Sequence, residues 1–275
     1  MLARAVRHWL LALQFFTRIP VTGRLAQWVG YSPAMLRASA AHFPGVGWVV
    51  GAWSALVLVV SAWALPAQPA SAWVAAVLCT AAGVWLTGAF HEDGLADTAD
   101  ALGGMVERER ALVIMKDSRI GSYGAVALVL ALLTKVGLLA LLEQSGLVWA
   151  AAGVLGAHVT SRWAPLWIIH ALPYVGDADG SKSKPLADAL DAGALWVGTG
   201  WWLAAIGVTL ALQPSWRWLG PVLAALLALA LMRRWLARRL QGFTGDTLGA
   251  TQQVTELAFY LGLAVALGVS VPVGG

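Results

Sequence analysis

A single cysteine, Cys79, stands among 275 residues, so the chain can form no intrachain disulfide. It lies inside an apolar run and reads as a small packing residue. Charge is scarce too. Only 12% of the residues are Asp, Glu, Lys or Arg, whereas 59% are hydrophobic and 16 are tryptophan. With a mean hydropathy of +0.73, this composition excludes an ordinary soluble domain. No Ala-x-Ala-type cleavage site follows the basic N-terminus, where Arg18 and Pro20 come instead, so a signal peptide is not expected there. The loop Asp177 to Pro185 lacks the Walker A spacing and reads as an ordinary connector or a substrate-covering loop, not as a nucleotide-hydrolysing P-loop. No convincing internal repeat occurs.

What is present is a series of membrane-length apolar runs, near Phe43 to Leu65, Ser71 to Phe90, Tyr123 to Leu142, Leu147 to Ala171, Ala194 to Leu212, Trp218 to Leu236 and Val254 to Pro272. They predict an all-α polytopic bundle of about seven transmembrane helices, forming one integral membrane domain over residues 1–275. The stretch Trp9 to Phe16 is too short to span and starts among Arg4, Arg7 and His8, which predicts an interfacial or re-entrant helix. Fifteen of the 18 basic residues fall before span one, between spans two and three, between four and five, and around the end of six. The positive-inside rule then places the N-terminus and these loops in the cytoplasm. The pI near 9.6 reflects topology and attraction to anionic membrane lipid, and gives no reason to invoke nucleic acid. Twelve of the 14 acids lie on the same side, so one face is expected to carry the chemistry.

The most informative segment on that face is His91-Glu92-Asp93-Gly94-Leu95-Ala96-Asp97-Thr98-Ala99-Asp100, four carboxylates in nine residues after a membrane-length run. In a helix, Asp93, Asp97 and Asp100 share one face. Like charges about 6 Å apart repel by about 3 kcal/mol at an effective dielectric of about 20, and by under about 1 kcal/mol in bulk water. Placed at a helix end beside a membrane, such a cluster points to a divalent cation, and oxygen-only ligands favour magnesium or manganese over zinc. Glu92, Asp93, Asp97 and Asp100 are the candidate metal ligands. Gly103-Gly104 is expected to end the helix, followed by a charged amphipathic stretch containing Glu107 to Arg110.

Further along, Met115 to Gly124 combines Lys116, Arg119, Ser118 and two glycines, which suits either a phosphate site or a basic juxtamembrane anchor. The segment Gly242 to Glu256 reads as a capped helix start carrying Asp246, Gln253 and Glu256 near the inner membrane surface. Within the spans, His158 and Arg162 lie one turn apart and are expected to face a polar cavity reached from the cytoplasm, whereas Lys135 is expected to snorkel outward. Thr17 to Pro20 and His42 to Gly45 are candidates for the rim of the site.

Four stretches, QFFTRIPV from Gln14, HEDGLADTADALGG from His91, MKDSRIGSYG from Met115 and GDTLGATQQVTE from Gly245, resemble the cobalamin synthase family, in order and over nearly the whole chain. The resemblance implies a Mg²⁺-dependent membrane transferase, adenosylcobinamide-GDP ribazoletransferase, acting in the final stage of cobalamin biosynthesis. It would join adenosylcobinamide-GDP to α-ribazole or its 5′-phosphate and release GMP at the cytoplasmic face of the inner membrane. Other enzymes of the same assembly, or a second copy of the chain, stand as candidate partners. The chemistry resembles that of CDP-alcohol phosphotransferases, but Phe90 stands where their first aspartate would be and no Ala-Arg pair follows Asp93-Gly94, so their aspartate roles do not transfer. On the implied chemistry, the four carboxylates hold Mg²⁺ against the pyrophosphate. Asp97 and Asp100 are the catalytic candidates, with Asp100 as general base, while Lys116, Arg119, Asp246, Gln253 and Arg162 bind substrate. An ion-coupled transporter using His158, Arg162 and Glu256 as a relay is the alternative, and a scaffold for other enzymes is a second.

Overall fold

The computed structural model describes residues 2–176 and 190–268. The 177–185 loop and the end of the seventh predicted span lie outside the described residues. Among the described residues there are twelve α-helices: α1 (Leu2–Phe16), α2 (Gly23–Val29), α3 (Pro33–Ser39), α4 (Phe43–Ala64), α5 (Pro69–Thr87), α6 (Phe90–Leu102), α7 (Arg108–Ile114), α8 (Ser122–Ser145), α9 (Leu147–Ala171), α10 (Ala192–Leu212), α11 (Leu219–Arg239) and α12 (Gly245–Gly268). Seven of them, α4, α5 and α8 to α12, have 19 to 25 residues. At 1.5 Å per residue each reaches about 30 Å, the thickness of a bilayer core.

Five of these long helices, α4, α5, α8, α10 and α11, are apolar enough to cross a membrane by composition alone. The other two, α9 and α12, are the most enclosed. Seventeen of the 25 residues of α9 are buried, and α12 packs on α6, α8, α9 and α11. A helix wrapped by other helices meets side chains in place of lipid, so it can carry His158, Arg162 and Glu256 on faces that never see hydrocarbon. The outer helices instead show apolar groups outward, including Leu130, Leu133, Leu223, Leu227 and Leu231.

Lipid tails are as apolar as leucine, so close packing is what holds such a bundle together, and small residues make it possible. On α4, Gly47 and Gly51 form a small-xxx-small pair facing α9. A Cβ at Gly51 would lie 3.1 Å from the Leu155 Cα, and one at Gly47 would lie 2.8 Å from the Val159 Cα. The two largest buried clusters lie around Phe16, Phe43, Trp163 and Phe243 at the end where α6 lies, and around Leu139, Phe259, Tyr260 and Leu263 toward the opposite end.

Most predicted span limits agree with the helices, and Leu147–Ala171 coincides with α9. The clearest boundary difference is α12, which starts at Gly245, nine residues before the predicted Val254. Its polar first half is helical because neighbouring helices pair its side chains, a tertiary effect that hydropathy does not register. Thr244 and Thr247 cap it reciprocally: Thr247 N donates to Thr244 Oγ1 (3.3 Å) and Thr244 N to Thr247 Oγ1 (2.9 Å). The N-terminal stretch forms α1, whose buried side includes His8, Leu11, Leu13 and Phe16. It brings Phe16 against Phe43, with ring centroids 4.4 Å apart.

Candidate active site

The acidic segment becomes a separate helix, α6, because the chain turns sharply after α5. Gly88 (φ 69°) and Ala89 (φ 61°) both adopt the left-handed conformation. For alanine this costs about 1–2 kcal/mol, so the surroundings must hold the turn. Ala89 N donates to the Val84 carbonyl (3.0 Å) and Arg18 N to the Leu86 carbonyl (2.8 Å). Reversed in this way, α6 lies across the bundle end against α8 and α12, and stops at Leu102 before the two expected glycines.

The crossing of α6 and α12 is set by two glycines. A Cβ at Gly94 would lie 2.7 Å from the Asp246 carbonyl oxygen and 3.2 Å from the Gly249 Cα, and one at Gly249 would lie 3.3 Å from the Gly94 Cα. This contact sets Asp246 of α12 beside the acidic face of α6. Asp97 registers the proximity: its carboxyl is pushed up to about 7, first by burial and then by repulsion from Asp93, Asp246 and Asp100.

The four carboxylates of α6 have different surroundings. Asp93 is exposed and Asp97 half-buried. Asp100 is engaged: its Oδ2 accepts from Gly121 N (2.7 Å) and its Oδ1 from Gly124 N (2.8 Å), so it caps the start of α8. The glycine N–H groups read as a phosphate cradle therefore already bind an anion, and that anion is Asp100. Glu92 turns inward, where its Oε1 accepts from Gln253 Nε2 (3.0 Å) and its Oε2 is buried without a hydrogen-bond partner among the described residues.

Of the remaining predicted site residues, Lys116 is exposed at the end of α7. Arg119 is also exposed and forms a bidentate pair with Asp117, Nη2 to Oδ2 at 2.6 Å. Gln253 is buried and bonds Glu92 and Gln252. Arg162, 4% exposed, donates from Nη1 to the His158 carbonyl (3.1 Å), lies 3.1 Å from His158 Nδ1, and has an Nε with no acceptor among the described residues.

Lys135 does not snorkel. It is 4% exposed and its Nζ lies 2.6 Å from Glu256 Oε1. Glu256 also accepts from Gln252 Nε2 (2.6 Å) and Tyr260 OH (3.3 Å), and stands 3.7 Å from His158 Nδ1. Outward rotation would leave Glu256 as a buried, under-compensated charge, which explains the inward choice. Glu92, Gln253, Gln252, Glu256 and Lys135 thus form one continuous polar chain from α6 into the bundle. His158, Arg162 and Glu256 do come together, as a closed cluster in which the buried cations face the buried carboxylates.

The part of the site least visible in the sequence is a cavity beside the α6–α12 crossing. Its walls include Phe16, Phe43, Phe90, His91, Tyr174 and Phe243, and Arg162 and Gln252 reach it from α9 and α12. His91 stacks on Phe16 (5.8 Å between centroids, 16° between planes). Burial, with Arg162 nearby, pushes the imidazole well below its ordinary range, so it is neutral. Of the two stretches expected at the rim, His42 to Gly45 supplies Phe43 to this cavity, whereas Thr17 to Pro20 does not line it and the preceding Phe16 does. Tyr174 and Phe243 had no local signal. They meet through backbone bonds of Val175 N to the Phe243 carbonyl (2.9 Å) and Phe243 N to the Pro173 carbonyl (3.0 Å).

Residues 8–264 match the family described as cobalamin-5-phosphate synthase. The chain belongs to that family. It is 57% identical to the adenosylcobinamide-GDP ribazoletransferase of Albidiferax ferrireducens over 97% of this chain and 100% of the relative. It is 54% identical to that of Polaromonas naphthalenivorans over 95% and 99% of the two chains, and 42% identical to a Vibrio cholerae relative over 92% and 91%. No solved structure matches the chain. Within the cobalamin-5-phosphate synthase family, then, the site comprises an acidic helix crossing α12, a polar chain behind it and an aromatic cavity beside it.

The donor chemistry of the acidic crossing suits Mg²⁺. Among the described residues, no three His, Cys, Asp or Glu side chains converge closely enough to hold a metal ion by themselves. Mg²⁺ usually takes one or two carboxylates together with substrate phosphate oxygens, not an all-protein cage. Asp93 and Asp246, whose charges both raise Asp97, provide two such oxygen donors. Asp100 already accepts two N–H groups, whereas Glu92 is engaged through Oε1 alone.

Proposed function

We propose that the chain transfers the phosphocobinamide moiety of adenosylcobinamide-GDP to α-ribazole or its 5′-phosphate, giving adenosylcobalamin or its phosphate and GMP. The observation that carries this reading is the aspartate cluster at the Gly94–Gly249 crossing, in a chain whose full-length relatives are named adenosylcobinamide-GDP ribazoletransferases. A ribose hydroxyl oxygen bonds to the phosphorus attached to cobinamide, and the bridging P–O bond to GMP breaks. Asp97 accepts the hydroxyl proton. A carboxyl raised to about 7 is matched to proton transfer near neutral pH, whereas Asp100 already accepts two N–H groups.

Asp93 and Asp246 would hold Mg²⁺, which when bound supplies positive charge to the pyrophosphate and to departing GMP. Glu92 and Gln253 act as positioning residues that fix α6 on α12. Lys116 and Arg119, exposed between α7 and α8, receive the nucleotide phosphates, with Arg119 exchanging Asp117 for phosphate. The concentration of basic residues at this end supports a cytoplasmic active face on the inner membrane. Detergent-purified protein supplied with adenosylcobinamide-GDP, α-ribazole and Mg²⁺ should release GMP, and Asp93→Asn should abolish that release while the protein still inserts in membranes. Wild-type turnover by Asp93→Asn would overturn the assignment.

A further inference from the structure

A second, wider cavity opens where α1, α3 and the start of α10 meet. It encloses about 620 Å³, within the usual range for a small-molecule site. Arg4 and His8 of α1, Arg37 of α3 and His42 just before α4 line it, and Asp191 and Val197 close it on the α10 side. Arg4 stands twelve residues before Phe16 on α1, about 18 Å along the helix. This chamber therefore lies at the opposite end of α1 from the aromatic cavity.

Its wall is made for a singly charged anion. Two guanidinium groups stand against one carboxylate, and the Oδ1 of that carboxylate, Asp191, already accepts from Ala194 N (2.7 Å). His8 registers the positive surplus: burial, and then the charges of Arg4 and Arg7, hold its imidazole below the ordinary range. His42 is only 7% exposed, and its Nδ1 accepts from Trp201 Nε1 (3.1 Å). The ring proton is thus on Nε2, a donor with no acceptor among the described residues, on a ring that borders the cavity. A phosphodiester brings one negative charge and acceptor oxygens only, which suits both features.

The mouth of the cavity leads into lipid. Trp196, 74% exposed, stands beside Val197, as amphipathic indoles do at a bilayer interface. Gly200, Ala204 and Gly207 continue the Val197 stripe along α10. All three are exposed, and a Cβ at Gly200 or Gly207 would meet nothing within 4 Å. A hydrocarbon chain can lie in that shallow track. We propose that the cavity binds the phosphodiester of an anionic phospholipid, whose acyl chains run down this face of α10. Basic pockets between membrane helices take such headgroups through the same chemistry. Soluble nucleotides suit the cavity less. A nucleoside diphosphate carries more charge than one surplus cation balances, and among the described residues no Phe, Tyr or Trp lines the chamber to stack on a base. A lipid headgroup that also carries an ammonium has no net charge to meet the surplus.

Native mass spectrometry of the detergent-purified full-length chain, titrated with phosphatidylglycerol or phosphatidylcholine of the same acyl chains, reads the first lipid bound. Wild type should prefer phosphatidylglycerol by about 10-fold or more. One facing charge is worth about 5-fold, so Arg4→Gln should lower the preference by that factor, whereas Arg233→Gln, exposed near the end of α11, should leave it unchanged. Ala34→Trp, which fills the cavity from the exposed side of α3, should remove the preference. Glycerophosphoglycerol, the same headgroup without chains, should compete only at about 100-fold higher concentration or more. Equal binding of the two lipids by wild type, an undiminished preference in Arg4→Gln or Ala34→Trp, or equal losses in Arg4→Gln and Arg233→Gln overturns the cavity as a lipid site. Competition by glycerophosphoglycerol or inorganic phosphate at the concentration of the lipid itself overturns the lipid as occupant and assigns the cavity to a soluble phosphate.

Discussion

Asp97→Asn separates the chemistry of the acidic helix from its effect on stability. In the folded chain the Asp97 carboxyl is held at about 7, against an ordinary 3.8. At 1.36 kcal/mol per pH unit this difference corresponds to about 4 kcal/mol for a fully shielded group. Asp97 is half-buried, and solvent screening reduces the figure to about 1–2 kcal/mol. Because the raised group binds its proton more tightly in the folded state, stability falls as pH rises from about 4 through about 7, and the full penalty applies above that. Asn carries no charge, so the variant should match wild type near pH 4 and exceed it by about 1–2 kcal/mol at pH 8. For a chain of this size that is about 2–4 °C in Tm. Cys79, 1% exposed and the chain's single cysteine, makes a thiol-reactive dye a clean reporter of unfolding in detergent. Mg²⁺ should narrow the gap by relieving the carboxylate repulsion, and GMP release by the variant should fall about 10²- to 10⁴-fold, as expected for loss of a general base. A wild-type Tm that is flat from about pH 5 to about pH 8, or an Asn variant less stable than wild type at the upper end, would refute the charge-crowding account.

Three further perturbations probe the surroundings. Gly94→Ala should abolish GMP release with normal membrane insertion, since its Cβ meets Asp246 backbone at 2.7 Å, whereas Gly249→Ala, with nearest atoms at 3.3 Å, should retain a measurable fraction; equal activity of the two would dissociate the crossing from catalysis. Lys135→Met should destabilise the bundle by about 3–5 kcal/mol by removing the 2.6 Å partner of Glu256, and Lys135→Met with Glu256→Gln should recover at least half of the lost Tm; an unchanged Tm in the single variant would show that the pair is not formed. Asp100→Asn keeps one acceptor oxygen for Gly121 or Gly124 and should lose about 1 kcal/mol of stability while keeping activity within about tenfold. A collapse of turnover as deep as that of Asp97→Asn would make Asp100 the base.

Sequence alone determined the fold class. Runs such as Leu147 to Ala171 are long and apolar whatever they pack against, so the number of long helices and most of their limits could be read locally. The Gly103-Gly104 stop and the amphipathic N-terminal helix were legible for the same reason, since period and termination are properties of consecutive residues. Which carboxylate does what was not. Glu92, Asp93, Asp97 and Asp100 look alike along the chain, but α8 brings Gly121 and Gly124 to Asp100, α12 brings Gln253 to Glu92, and the Gly94–Gly249 contact brings Asp246 toward Asp93 and Asp97. Lys135 was misjudged because a lone lysine in an apolar run gives no sign of Glu256, 121 positions away in sequence and 2.6 Å away in space. Periodicity records the environment averaged around a helix, whereas the charge state and role of a side chain depend on the few atoms within about 4 Å of it, and those atoms come from helices that only the tertiary structure sets together.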